Sequence, residues 1–348
     1  MAARVRISDI AQEAGVSPAT VSRYLNNRPG SMSEETRTRI AEVIERTGYR
    51  PNSVARSLRT DRTHVLGVIL SDIRNPFFSA MLEGLSTRAA RDGYSLMTAV
   101  TANSSHAEAE AINRLTAAGV DGLIVNTCGG NDDLIAKTSR QTPVVLLDRD
   151  AANGTIDLVT SNNGALMAQL VDALAADGCT RCYLMTEHND TSSIRRERSN
   201  QFTREMAAHA LKGDILALES DAAQAAEQLG ALLGECEEAG PLGLIAINGL
   251  VFLRLIDALN TAGIAVPAQV RLATFDDYAW NRVLYGGVTT AAQDTQAMAD
   301  AIVELILERI ESEDLDDDGL GGKPTARTRI EVPGSVIKRA STAPAPLS

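Results

Sequence analysis

The sequence predicts a small all-helical head joined to a large α/β body of two lobes with parallel sheets. Three observations carry this. Residues 1–50 hold short apolar stripes at helical spacing. From Thr63 onward, short apolar runs alternate with helical stretches, the pattern of parallel sheets covered on both faces. About 280 residues of such alternation is large for one sheet, so two lobes follow.

The first head helix reads Ile7, Ile10, Ala11 and Ala14 along one stripe, and Gly15 follows where a left-handed helix end is cheapest. Ser17 is a good cap and Pro18 suits the first position of a second helix, about Pro18 to Asn26. That helix is expected to bury Ala19, Val21 and Leu25 and to leave Thr20, Ser22, Arg23 and Asn26 outward. A third starts near Ser33, with Glu34 and Glu35 in its first turn and Ile40, Val43 and Ile44 inward. Two short helices across a Gly-containing turn, with a third behind, make a helix-turn-helix unit whose second helix offers groups suited to base edges in a major groove. A generic helical bundle with a solvated polar face fits the same spacing.

Charge separates the two parts. Residues 1–62 hold 11 Arg, no Lys and 7 acidic residues, so they carry +4 of a total of −12 and the remainder carries −16. A basic head on an acidic body is the asymmetry of a DNA-binding module fused to something else. Overall, 44 % hydrophobic and 22 % charged residues describe a globular chain, and 3 % aromatic residues leave the core to Ala, Leu, Ile and Val. No run approaches ~20 apolar residues, so no membrane span is expected. Met1-Ala2-Ala3-Arg4 opens no apolar leader, so the chain is expected to stay in the cytoplasm.

In the body, Val65–Leu70, Leu96–Val100, Gly122–Val125, Val144–Leu147, Tyr183–Met185, Leu244–Ile247 and Arg271–Phe275 read as strands, and Phe78–Asp92 and Glu108–Ala118 as helices. Open parallel sheets bind ligands beyond the carboxyl ends of their strands. The polar residues there are Ser71, Asp72, Asn75, Thr101, Asn103, Asp148, Asn248 and Asp276. Phosphate-cradling, nucleophile-elbow and HExxH motifs are missing, so no catalytic residue is assigned. Cys128, Cys179, Cys182 and Cys236 include one Cys-Thr-Arg-Cys spacing, but no second ligand pair completes a zinc site. The expectation is packed, reduced cysteines, with neither metal nor cofactor. The acidic run Glu311–Asp318 reads as a solvated loop.

Ile7 through Arg23, then Glu42 through Asn52 and Ala55 through Thr60, resemble the head and hinge of the LacI/GalR family of transcription regulators. Asn75-Pro-Phe-Phe78, Val120–Ile124, Pro143–Arg149, Arg196–Phe202, Phe275–Asp277, Thr289-Thr290 and Gln293 resemble that family's effector domain, which is similar to periplasmic sugar-binding proteins. The resemblance implies a DNA-binding head at 1–50, with Ser17, Thr20, Ser22, Arg23 and Asn26 at the major groove. It implies a hinge at 51–62 whose Ala55 and Leu58 enter the minor groove. It implies an effector and dimerisation domain at 63–340, divided into lobe 1 (63–161 with 292–324) and lobe 2 (162–291 with 325–340); residues 341–348, with two Pro and no periodicity, read as a disordered tail. Asn75, Phe77, Asp148, Arg198, Asn248, Asp276 and Gln293, joined by Asp72 at a strand end, would line the cleft, with Arg196 nearby. The sequence departs from the family at Tyr24, Ser161, Gln201 and Gly249, the last where an Asp is usual.

The implied protein is a cytoplasmic homodimer, a repressor of a near-palindromic double-stranded operator, controlled by a sugar or sugar acid. The rival readings are a solute-binding protein and an α/β enzyme with an accessory head. The first would carry a leader and no head, and the second would turn over a metabolite.

Overall fold

The computed structural model describes residues 5–25, 32–49, 62–188, 192–234, 241–316 and 326–343. The chain divides into two compact units, residues 1–63 and 64–348.

In the first unit, α1 (Ile7–Glu13), α2 (Pro18–Leu25) and α3 (Glu34–Thr47) close on Ile10, Ala11, Ala14, Val21, Ile40 and Val43. Gly15, at φ +65°, makes the turn between α1 and α2. Ser17 caps α2 by accepting from the Thr20 N–H at 3.2 Å, and Ser33 caps α3 by accepting from the Thr36 N–H at 3.2 Å. Ala19 is exposed, contrary to the sequence expectation. It lies two residues from Val21, and two residues turn an α-helix through about 200°, so both cannot face the core. Leu25 packs inward as expected, and Tyr24 does so in place of Ala19. Asn26, Ala55, Leu58 and the rest of the expected hinge through residue 61 lie outside the described residues.

The second unit alternates strands and helices: β1 (Val65–Leu70), α4 (Pro76–Arg91), β2 (Ser95–Val100), α5 (Ser105–Ala117), β3 (Gly122–Val125), α6 (Asp132–Thr138), β4 (Val144–Leu147) and β5 (Asp157–Ser161). The chain then crosses to α7 (Asn163–Ala176), β6 (Arg181–Thr186), α8 (Ser193–Ala208), β7 (Ile215–Ala217), α9 (Ala222–Gly234), β8 (Leu242–Ala246), α10 (Gly249–Thr261), β9 (Val270–Phe275) and β10 (Thr289–Ala292). It closes with α11 (Thr295–Asp316), β11 (Arg329–Val332) and β12 (Ser335–Ile337). One sheet runs β11-β5-β4-β3-β1-β2 and is parallel throughout. The other runs β12-β10-β9-β8-β6-β7, parallel except for the last-formed pair, β10 with β12.

Apolar side chains fill both faces of each sheet, which is why the strands read as continuous apolar runs. Against the first sheet, α11 lies on α4 at a contact close enough that a Cβ on Gly84 would meet Ala299 at 2.9 Å. Cys179 and Cys182 are buried and free in the second core, and Cys236 lies outside the described residues.

Three boundaries differ from the sequence expectation. Residues 325–340 do not all join the second lobe: β11 pairs with β5 in the first sheet, and the crossing comes at residues 333–334. There Gly334 N–H donates to Asn162 at 2.8 Å, and a Cβ on Gly334 would strike the Ala292 carbonyl at 2.5 Å, so the three lobe crossings touch. The acidic run is helical through Asp316, because Glu and Leu favour helix and no Gly or Pro intervenes before residue 319. The start of the expected tail is packed, with Ser341 and Thr342 buried and the Ser341 hydroxyl accepting from the Thr289 N–H at 2.9 Å.

Candidate functional site

The two sheets end on the same device. β4 runs out at Leu147 and places Asp148 next, at φ +65°, and β9 runs out at Phe275 and places Asp276 next, at φ +72°. Aspartate is among the few side chains that tolerate this left-handed region, and such conformations gather at functional sites. In each case the backbone N–H is tied to a neighbouring strand, Asp148 to Val159 at 2.8 Å and Asp276 to Ala291 at 2.9 Å. Both carboxyls are therefore aimed by the sheet rather than by a loose loop.

Arg198 reaches them from α8. Ile194, Arg198, Phe202 and Met206 are its buried residues, each four apart, so Arg198 sits on the helix's core stripe. Its Nε donates to Asn163 at 2.8 Å, its Nη1 donates to the Ile247 carbonyl at 2.7 Å, and its guanidinium lies 3.7 Å from the centre of the Phe275 ring. It is 4 % exposed. Burial lowers its pKa from the usual guanidinium range, opposed by Asp276 and Asp148. Burial raises the pKa of both carboxyls, opposed chiefly by Arg198; the Asp276 charge raises Asp148 further, and Asp276 is held down by the hydrogen bond it accepts from Gln293 at 2.6 Å.

Helix starts supply the rest. Asn75 caps α4 by accepting from Phe77 N–H at 3.1 Å, and Asn248 caps α10 by accepting from Val251 N–H at 2.9 Å. Seven of the sequence-predicted residues, Asn75, Phe77, Asp148, Arg198, Asn248, Asp276 and Gln293, thus line one cleft between the two sheets. Phe78, Arg149, Ser192, Ile194 and Arg195 join them. Asp72 does not: Arg74 grips its carboxyl at 2.9 and 2.7 Å and holds its pKa below the usual range. Ser71 is buried against Asn126, and Asn103 accepts from Arg149 at 3.2 Å behind the cleft wall. Arg196 is exposed; Arg195, paired with Glu187 at 2.5 Å, is the residue of that segment that joins Arg198 in the cleft. The stripe Ile194-Phe202-Met206 was the signal for this phase, since Arg195 lies beside it and Arg196 opposite.

Three buried polar atoms in the cleft have no hydrogen-bond partner among the described residues: Asp148 Oδ1, Asn248 Nδ2 and Gln293 Oε1. Two accept and one donates. Leaving such groups unmade costs about 1–3 kcal/mol each, so a polyhydroxylated ligand is the natural complement. The cavity is only about 30 Å³ as the lobes stand, whereas ligand sites are typically ~300–1,000 Å³, so a ligand needs the lobes to part first.

In the first unit, Arg23 is exposed on α2, with Nε 3.4 Å from the Ala19 carbonyl and Nη2 3.5 Å from the Thr20 hydroxyl. Ser17, Thr20 and Arg23 share a concavity with Met32, Ser33 and Thr36, where the starts of α2 and α3 converge; Ser22 is half-buried beside it. Two helix N-termini and an arginine favour a phosphate-bearing partner.

Two family descriptions match the chain: bacterial regulatory proteins of the lacI family over residues 6–52, and a periplasmic binding protein-like domain over residues 171–342. The HTH-type transcriptional regulator PtxS of Pseudomonas plecoglossicida is 36 % identical over 97 % of this chain and 96 % of its own. The HTH-type transcriptional regulator KdgR of Bacillus subtilis is 33 % identical over 96 % of this chain and 97 % of its own. Among solved structures, the lac repressor dimer bound to operator and the anti-inducer ONPF superposes with a TM-score of 0.79 at 22 % identity, covering 98 % of this chain and all of that one.

Proposed function

The chain belongs to the LacI family of bacterial regulatory proteins, and from that premise we propose which residues carry its work and which effector class it answers to. Members of the family bind operator DNA through the helix-turn-helix head and respond to a small molecule; this chain is a transcription regulator of that kind, not an enzyme. The DNA-reading set is Ser17, Thr20, Ser22 and Arg23, with Asn26 and the hinge residues Ala55 and Leu58 beyond the described residues. The effector set is Asn75, Phe77, Asp148, Arg198, Asn248, Asp276 and Gln293, now with Arg149 and Arg195 and without Asp72.

One observation carries the effector class: the three unpartnered polar atoms around a buried Arg–Asp–Asp cluster. Asp148 and Gln293 accept from hydroxyls, Asn248 and Arg198 donate, and Phe77 offers an aromatic wall. Arg195 is held by Glu187, which leaves Arg149 and Arg198 beside two aspartates whose pKa burial raises; these guanidinium donors suit a carboxylate, so the effector is read as a sugar acid. Binding draws the lobes together and so changes how the DNA-binding end is presented. The regulator works as a homodimeric repressor on a near-palindromic operator, in the cytoplasm. The partner surface includes the outer strand β2, where Met97 and Val100 stay 43 % and 46 % exposed.

The test is Asp276→Ala in calorimetry against D-gluconate, D-glucuronate and D-glucose, beside an operator titration. The expected result is at least a hundredfold loss of sugar-acid affinity with operator affinity intact. Full retention of ligand affinity places the site elsewhere. Loss of both, in step with loss of folding, makes Asp276 a structural residue.

A further inference from the structure

Gly249 opens α10 directly after the cap Asn248, and a Cβ there would stand 2.9 Å from Cε2 and 3.5 Å from the hydroxyl oxygen of Tyr278. The phenol therefore fills the volume that any side chain at 249 would take. Tyr278 follows two residues after Asp276, and its ring stacks on Trp280, centroids 4.7 Å apart at 37°. Its hydroxyl is buried near the Asp276 carboxyl and the Phe77 backbone amide, yet makes no well-formed hydrogen bond. Phe77 starts α4 in the first lobe and Tyr278 belongs to the second, so this unsatisfied hydroxyl lies on the seam along which the lobes part. Burial, followed by the adjacent Asp276 charge, pushes the phenol above its ordinary range, so it remains a donor at neutral pH.

Resting on the sugar-acid reading above, we infer that Tyr278 is a specificity-determining residue of the cleft. Tyr278 stands behind the lining residues Asn248, Asp276 and Phe77 as the lobes stand; when the lobes part, its ring becomes the end wall there and its hydroxyl donates to the ligand oxygen held at Asp276. A monosaccharide-sized acid fits against that wall; the same acid lengthened by a second sugar does not. With glycine at 249, the wall is removable, because the residue facing the phenol there carries no side chain of its own.

The probes are D-gluconate and cellobionate, which is gluconate carrying one further glucose. Trp280 is the sole tryptophan and touches Tyr278, so its fluorescence reports occupancy directly alongside calorimetry. In Tyr278→Ala the cellobionate-to-gluconate affinity ratio rises at least tenfold over the unsubstituted protein. In Tyr278→Phe, which keeps the wall and removes the hydroxyl, gluconate affinity falls about tenfold and the ratio stays put. A ratio unchanged in Tyr278→Ala, with gluconate still bound, overturns the assignment of Tyr278 and leaves the sugar-acid reading standing. Failure of gluconate, glucuronate and cellobionate to bind the unsubstituted protein or either variant, with operator binding intact, overturns the sugar-acid reading and this inference with it.

Discussion

The helix-turn-helix unit and the two-lobed unit use polar side chains in opposite ways. In the first, Arg23 and Ser17 stand exposed on a helix held by six buried residues. In the second, Arg198, Asp148 and Asp276 are 4 %, 7 % and 5 % exposed, at the meeting of two sheets and three apolar clusters. The proposed ligands account for the difference. DNA is a large polyanion read from outside, and its phosphates supply most of the attraction in water. A small molecule offers few contacts, so each must be made where water is excluded and electrostatics are strong. Burying an Arg and two Asp residues is costly, and only a large packed scaffold tolerates it.

That contrast breaks most sharply in the core of the second unit. Phe202 is fully buried beneath Arg198 on the same stripe of α8. Phe202→Ala is expected to cost about 3–5 kcal/mol of that unit's stability through lost burial and a cavity. The head shares none of this core. Differential scanning calorimetry should show one transition lowered and the head's unchanged; a joint shift of both would mean that the two units fold as one.

How legible was this from sequence? The head was, because its signals are local: Gly15, Ser17-Pro18 and Ser33 each fix a turn or cap within four residues. The error at Ala19 came from treating a residue two positions from Val21 as sharing its face. The strand ends were legible for the same reason, since apolar runs stop at Asp148 and Asp276. What stayed hidden depends on contacts between distant segments. β11 joins the first sheet through pairing with β5, some 170 residues earlier, which no local pattern encodes. Asp72 looked equivalent to Asp148 until Arg74 closed on it. Tyr278 gained meaning only when Gly249 was seen to lie beneath it.

Within the second unit, adjacent carboxyls sharpen the contrast further. Burial leaves Asp276 raised, whereas for Asp277 the hydrogen bonds from Arg339 and Thr290 outweigh burial and hold its pKa below 3.8. Arg339 forks onto Asp277 at 2.7 and 2.9 Å, and the Thr290 hydroxyl donates at 3.0 Å. A depressed folded pKa stabilises above the unfolded value and loses that stability as pH falls through the folded one. Asp277→Asn is therefore expected to cost about 3 kcal/mol at pH 7, with the gap to the unsubstituted protein narrowing only below about pH 4. Urea titrations across that range check it; a gap that is constant with pH would mean the loss is one of packing rather than charge.

The smallest effect is expected in the head, where solvent already screens the proposed reading group. Arg23 is exposed and α2 is held by Val21, Tyr24 and Leu25 on its other face, so removing the guanidinium should leave the fold intact. What it removes is a fork able to donate twice to guanine, a contact worth about 1–3 kcal/mol of discrimination. Arg23→Ala should weaken operator binding by about ten- to a hundredfold and relax preference at one base position, while effector affinity is unchanged. A titration against operators permuted at each position separates this from a phosphate contact. A phosphate-bound arginine would instead weaken every sequence alike and flatten the salt dependence by about one unit of slope. Either result keeps the arginine on DNA, but only loss of preference at a single position makes it a reader of sequence; unchanged affinity and unchanged preference would remove α2 from the operator altogether.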